Sequence, residues 1–159
     1  MTTRICLHGP ESTGKSTLAT RLAAHYGCEG HGTDIGMAEL VHIAETQDAM
    51  NRAAAARDGE RVLFDTDPLI TAVWAEMMFE TRDAYFDAFT GYADLYLLLD
   101  IDLPFVDDGL RVYAGTEDRR HFFALCKAEL DHCGVRYALI RGTGDIRFSA
   151  ALDAIAVHC

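Results

Sequence analysis

Gly9-Pro10-Glu11-Ser12-Thr13-Gly14-Lys15-Ser16 matches the pattern GxxxxGK[ST], and Thr17 extends it. A short apolar run with strand character, Arg4-Ile5-Cys6-Leu7-His8, leads into this stretch. Leu18, Ala19, Leu22 and Ala23 follow at 3.6-residue spacing and predict a helix over residues 14–26. Strand, glycine-rich loop and helix are the setting in which the pattern has a mechanism. The loop's backbone N–H groups and the helix N-terminus can cradle phosphates, Lys15 can reach the β and γ oxygens, and the Ser16 hydroxyl can ligate Mg²⁺. Gly9, Glu11, Ser12, Thr13, Gly14, Lys15, Ser16 and Thr17 are therefore expected to hold ATP with Mg²⁺. His8, just before the loop, reads as a strand-end residue.

Beyond the loop, the Ala-rich residues 36–57 place Met37, Leu40, Val41, Ala44 and Asp48 at helical intervals, and Asp58-Gly59 ends that helix. Arg61-Val62-Leu63-Phe64-Asp65 is a compact strand that closes on a carboxylate. Asp67-Pro68 supplies an N-cap and a proline at the first helical position, and Leu69, Ile70, Val73, Trp74 and Met77 form the inward stripe of the helix it starts. Residues 94–100, DLYLLLD, are apolar without alternation, as in a parallel strand buried on both faces. A polar segment over 102–118, a helix over 119–133, a strand over 135–140, a Gly-rich loop and a last helix complete the chain. Strands alternating with helices predict an α/β fold with an open parallel sheet of four or five strands, helices on both faces, and ligands beyond the strands' carboxyl ends.

With 159 residues, half of them apolar, the chain reads as one domain with one core, residues 1–159. Fourteen Lys and Arg against twenty-five Asp and Glu give a formal charge of -11, a field that repels nucleic acid and anionic membranes. A polyphosphate must then be held by a local device. The start MTTRICLHG lacks the pattern of a secretion signal, and no apolar run approaches the roughly 20 residues of a membrane span. Cys6, Cys28, Cys126, Cys133 and Cys159 are odd in number and form no CxxC pair, so they read as reduced cytoplasmic thiols.

Function classes narrow next. Guanine is normally read by an Asn-Lys-x-Asp element, and the only asparagine is Asn51, inside the Ala-rich helix. A motor or oligomeric ATPase needs more chain for its coupling elements. A small-molecule kinase remains, against the rival of an ATP-binding regulatory module with little turnover.

GPESTGKSTLA (9–19), VLFDTD (62–67) and YLLLDIDLPFVDDGLR (96–111, read from Tyr96) stand in order. In these the chain resembles the ribosylnicotinamide kinase domain of NadR-type proteins, in the nucleoside and nucleotide kinase branch of P-loop folds. The resemblance covers most of the chain and implies ATP-dependent phosphorylation of a ribose 5′-hydroxyl, converting nicotinamide riboside to the mononucleotide. A kinase for another nucleoside or nucleoside monophosphate is the alternative. In longer relatives this domain follows a nucleotidyl-transferase domain, which these 159 residues do not include.

Site roles follow from position and from the resemblance. Asp65, at a strand end on the loop's side of the sheet, is expected to hold Mg²⁺ through water and to orient Ser16; capping the next turn is its plain alternative. Asp67 is either an N-cap or, as the resemblance implies, a substrate contact or auxiliary base. Arg111, Arg119 and Arg120 flank VYAGTED (112–118), and residues 104–118 have the polarity of a short lid whose arginines stabilise phosphoryl charge. The resemblance makes Asp107 and Asp108 candidates for the ribose hydroxyls. Gln47 is a base-reading amide or a solvated helix residue, and Trp74 a stacking ring or core. Arg147, after the loop Gly142-Thr143-Gly144-Asp145, stacks on adenine or serves that turn.

One expected element is missing. Between Tyr26 and Gly36 the chain offers only GCEGHGTDI, too polar for a buried strand, where the family places a strand and the carboxylate that accepts the hydroxyl proton. Either the strand is deleted, leaving four strands and Asp67 as the remaining base candidate, or residues between Gly27 and Asp34 are missing from the chain as written.

Overall fold

Strands β1 (Thr3–His8), β2 (Arg61–Phe64), β3 (Leu95–Leu99) and β4 (Tyr137–Ile140) form one sheet, all parallel, in the order β2-β1-β3-β4. The computed structural model describes residues 3–10, 15, 18, 21, 22, 25, 36–57, 59–103 and 115–158. Helices α1 (Met37–Ala55), α2 (Pro68–Phe79), α3 (Ala84–Ala88), α4 (Thr116–Cys133) and α5 (Gly144–His158) connect and cover the strands, and Lys15, Leu18, Arg21, Leu22 and His25 are also helical. Residues 27–34, where a fifth strand was in question, lie outside the described residues. None of the described helices is long and apolar enough to cross a membrane.

The period-2 alternation of parallel strands sorts side chains between two faces. Cys6, Phe64, Tyr96 and Leu98 point to one face, where Leu69, Ile70 and Val73 of α2 and Phe122, Cys126 and Leu130 of α4 cover them. Ile5, Leu7, Leu63, Leu95, Leu97 and Leu99 point to the other and meet Leu18, Leu22 and, from α5, Ala151 and Ile155. Every β3 side chain is buried, as the unalternating run requires. Each such leucine contributes roughly 1.5–3 kcal/mol of burial. A smaller cluster of Leu40, Ala44, Ala72, Ala75 and Phe86 locks α1, α2 and α3 together. Cys6 and Cys126 are fully buried thiols, and Cys133 is half-buried and free.

Two boundaries differ from the sequence expectation. Helix α4 starts at Thr116 rather than Arg119, because Gly115 provides an extended cap and Glu117 and Asp118 suit the positive end of a helix dipole. The last three residues of the segment expected as lid are thus its first turn. Strand β4 starts at Tyr137 rather than Val135, since the Val135 N–H turns back to the Leu130 carbonyl at 3.3 Å and belongs to the closure of α4.

From β1 the chain crosses to β2 on one side and then to β3 on the other, so the order reverses between β1 and β3. At that switch point Gly9 leaves β1 with φ +138°, and a Cβ there would lie 2.8 Å from the Leu99 carbonyl oxygen. Only glycine fits both the dihedral and the gap. Gly9→Ala is expected to lower unfolding free energy by about 1–3 kcal/mol. Urea unfolding measures this, and an unchanged midpoint would mean that the strand ends are not pressed together as described.

Candidate active site

The carboxyl ends of β1, β2 and β3 bring together Gly9, Asp65 and the Asp100–Leu103 segment, and Lys15 joins them from the helical turn after the loop. The Lys15 ammonium donates to the carbonyls of Gly9 at 2.6 Å and Pro10 at 2.5 Å, so its charge is held over the loop's entrance. Asp65, one residue past β2, is half-buried. Burial raises its carboxyl above the usual range, and the field of Lys15 draws it back down. A partly dehydrated carboxylate within reach of that ammonium suits a hard divalent cation shared with phosphate oxygens. Among the described residues no cluster of three or more His, Cys, Asp or Glu could hold a metal alone.

Asp67 takes the N-cap place. Its Oδ1 accepts from the Leu69 N–H at 3.0 Å, and its Oδ2 accepts a short hydrogen bond from the Tyr96 hydroxyl. Tyr96 is the second residue of β3, and its oxygen also accepts from the Ala93 N–H at 3.2 Å. The Asp67 carboxyl is 2% exposed, and burial pushes it up to about 6 despite those donors. Both of its oxygens are thus engaged inside the fold. His8 is likewise buried at the end of β1, and desolvation with the nearby Lys15 charge pushes it down to about 3, so it is neutral.

Gln47 is half-buried on α1, and its Nε2 donates to Asn51 Oδ1 at 2.9 Å. Asn51 Nδ2 in turn donates to the Thr66 carbonyl at 3.0 Å, between Asp65 and Asp67. Trp74 packs edge-on against Phe122 with ring centroids 4.7 Å apart, bridging the α2–α4 core, and Phe86 and Phe89 are core as well. Arg119 is buried, and its Nη2 donates to the Leu103 carbonyl at 3.0 Å, which ties α4 to the chain just before residue 104. Arg147 is 3% exposed. Its guanidinium donates to the Gly142 carbonyl at 2.7 Å, to the Asp100 carbonyl at 3.1 Å and to Asp102. The Gly142 N–H closes the ring by donating to Asp102 at 2.7 Å, and Arg141 holds Asp100 at 2.7 Å. Here Arg147 fastens the ends of β3 and β4. Glu11, Ser12, Thr13, Gly14, Ser16, Thr17, Asp107, Asp108 and Arg111 lie outside the described residues.

Tyr96, Asn51 and Asp102 do not stand out in the sequence. Asn51 left one trace, because Leu40, Ala44, Asp48 and Asn51 share the buried stripe of α1, and a polar residue on such a stripe needs a partner.

Because the folded state keeps the Asp67 proton up to about pH 6 and an unfolded aspartate releases it near 3.8, the native form binds more protons in between. Stability from this group is therefore full below pH 3.8 and is lost as pH rises through 6. Asp67→Asn is expected to remove that downward slope, worth on the order of 2 kcal/mol, in denaturant unfolding compared at pH 4.5 and 7. An identical slope in both proteins would place the titration elsewhere.

A crystal structure of NadR in complex with NR shares the fold at a TM-score of 0.76 and 20% identity, over 99% of this chain and 51% of NadR. The chain thus spans about half the length of that protein. Deoxyadenosine kinase from M. mycoides with bound dATP aligns at a TM-score of 0.69 and 9% identity, over 97% of this chain and 99% of its own. Thymidylate kinase from Ehrlichia chaffeensis aligns at 0.65 and 15% identity, over 98% of each chain. These likenesses show that the chain shares its fold with these three proteins. No curated protein matches the sequence significantly. A family model described as an AAA domain matches residues 29–147, about three quarters of the chain, and the chain belongs to that family.

Proposed function

We propose that the protein is an ATP-dependent kinase that phosphorylates the ribose 5′-hydroxyl of a nucleoside, with nicotinamide riboside as substrate and the mononucleotide as product. The observation that carries this reading is the grouping at the β1–β3 switch point: a glycine-only approach of the loop to Leu99, the Lys15 ammonium over it, and the Asp65 carboxylate in that ammonium's field. The fold shared with nucleoside kinases supports it, as do the GPESTGKS and DTD stretches.

In this reading residues 9–17 bind the triphosphate through backbone N–H groups and Lys15. Ser16 and Asp65 would hold Mg²⁺, which when bound neutralises the charge on the transferring oxygens. The 5′-oxygen forms its bond to the γ-phosphorus as the bond to the ADP oxygen breaks, and the hydroxyl proton passes to solvent water. Arg111 and Arg119 stabilise the equatorial oxygens from the lid over residues 104–118. For Arg119 this requires leaving the Leu103 carbonyl, so the lid root and the charge clamp compete for one guanidinium. Asp107 and Asp108 hold the ribose, Gln47 reads the base, Trp74 borders the ring, and Arg147 supports the adenine end through the β3–β4 turn. Asp67 acts through position, as the cap that fixes the DTD turn.

Lys15→Ala is expected to cut MgATP-dependent turnover by at least about 10²-fold with an unchanged unfolding midpoint, because the ammonium touches loop carbonyls rather than core. Near-normal turnover in that variant would end the reading. Arg111→Ala and Arg119→Ala should each lower kcat far more than they weaken ATP binding without the second substrate. Equal losses in rate and binding would mark the two arginines as ordinary binding groups.

A further inference from the structure

We infer that Asn51 is a positioning residue for Asp65: from α1 it pins the Thr66 carbonyl, and through that turn it fixes where the carboxylate meets a divalent cation. The inference deepens the kinase reading above and rests on the role given there to Asp65.

A polar side chain on a buried helix stripe needs a reason, since an apolar residue of the same size would pack there at no dehydration cost. Asn51 is 8% exposed, on the stripe of α1 that also carries Leu40 and Ala44. The chemistry of its neighbours orients its amide. The Thr66 carbonyl can only accept, so the Asn51 group 3.0 Å from it is the NH₂ end, and Oδ1 is left to accept from Gln47 at 2.9 Å. Among the described residues nothing else donates to that carbonyl.

The turn is held at its other end as well. Asp67 accepts from the Leu69 N–H with Oδ1 and from the Tyr96 hydroxyl with Oδ2, so both of its oxygens belong to the fold. Asp65, by contrast, has no hydrogen bond to a described residue, and it stands half-buried in the field of Lys15. One residue separates the last pairing of β2, Phe64 with Cys6, from the pinned Thr66 carbonyl. The backbone of Asp65 is therefore fixed on both sides while its carboxylate stays open to a ligand. The anchor is itself firm, because Leu40 and Ala44 of α1 pack against Ala72 and Ala75 of α2, the helix that Asp67 caps. Asn51 thus acts on Asp65 without touching it.

The test is ATP binding by calorimetry, without a second substrate, in Mg²⁺ and again in EDTA. In the parent protein Mg²⁺ should tighten ATP binding, and Asp65→Asn should reduce that gain. Asn51→Leu keeps the size of the side chain and removes its hydrogen bond. It should weaken MgATP binding about tenfold, as expected for a group that orients a metal-binding side chain from behind, and leave metal-free ATP binding unchanged. In the Asp65→Asn background Asn51→Leu should add nothing, because it acts through that carboxylate. If Asn51→Leu fails to fold, Asn51→Ser, whose hydroxyl is too short to span the gap, carries the same expectation. Equal weakening with and without the metal overturns the inference and marks Asn51 as a structural brace. So does an unchanged MgATP affinity, or a loss that repeats in full on Asp65→Asn. If Mg²⁺ does not tighten ATP binding in the parent, the cation role of Asp65 and this inference fall while the phosphate-loop reading stands. If the parent binds no ATP under either condition, the kinase reading falls with them.

Discussion

The approach of the Gly9 backbone to the Leu99 carbonyl holds the rest of the site in place. It occurs where the sheet order reverses, so the end of β1 and the end of β3 meet with no side chain between them. Lys15 can then fold over the loop's first carbonyls, and Asp65 on the neighbouring strand falls within its field. A Cβ at Gly9 would move the loop, the ammonium and the carboxylate apart together. The geometry of several residues thus hangs on one absent methyl group.

A second constraint is charge. A chain with a formal charge of -11 repels polyphosphate at a distance, yet several of its cations stand where β3 and β4 end. Arg147, Arg141 and Arg119 all engage the four residues Asp100–Leu103, two through carboxylates and two through carbonyls. These contacts serve the fold first, since buried guanidinium groups need acceptors in fixed places.

Much of this could be read in the letters. Residues 9–16, with apolar residues before and after, fixed the loop between strand and helix, and the unalternating run LYLLL fixed β3 as a central parallel strand. Asp67-Pro68 read as a helix start is what the backbone adopts. What could not be read was long-range. Tyr96 looks like one more apolar residue of β3 until its hydroxyl is seen against a carboxylate 29 positions earlier. Gln47 and Trp74 each had two readings, and the choice between core and cleft depends on which neighbour lies across the packing, which periodicity along one helix does not encode. Arg147 read as a group that stacks on adenine or as part of a Gly-rich turn, while two of its acceptors lie 45 and 47 residues away. The early start of α4 was a local error, like the late start of β4, since Glu117 and Asp118 suit a helix's first turn as well as a polar loop.

The two buried thiols give this molecule a built-in clock. Cys6 lies in the central strand and Cys126 on the helix above it, each fully enclosed, and burial pushes both thiols well above the range in which thiolate forms. An alkylating reagent can reach either sulfur only when the sheet parts from α4, so the speed of labelling reports how often that parting happens. Ligands that fasten the crevice should slow the reaction by the same factor at Cys6 and at Cys126 if strand and helix open as one unit. Unequal factors would reveal that the helix lifts away while the sheet stays closed.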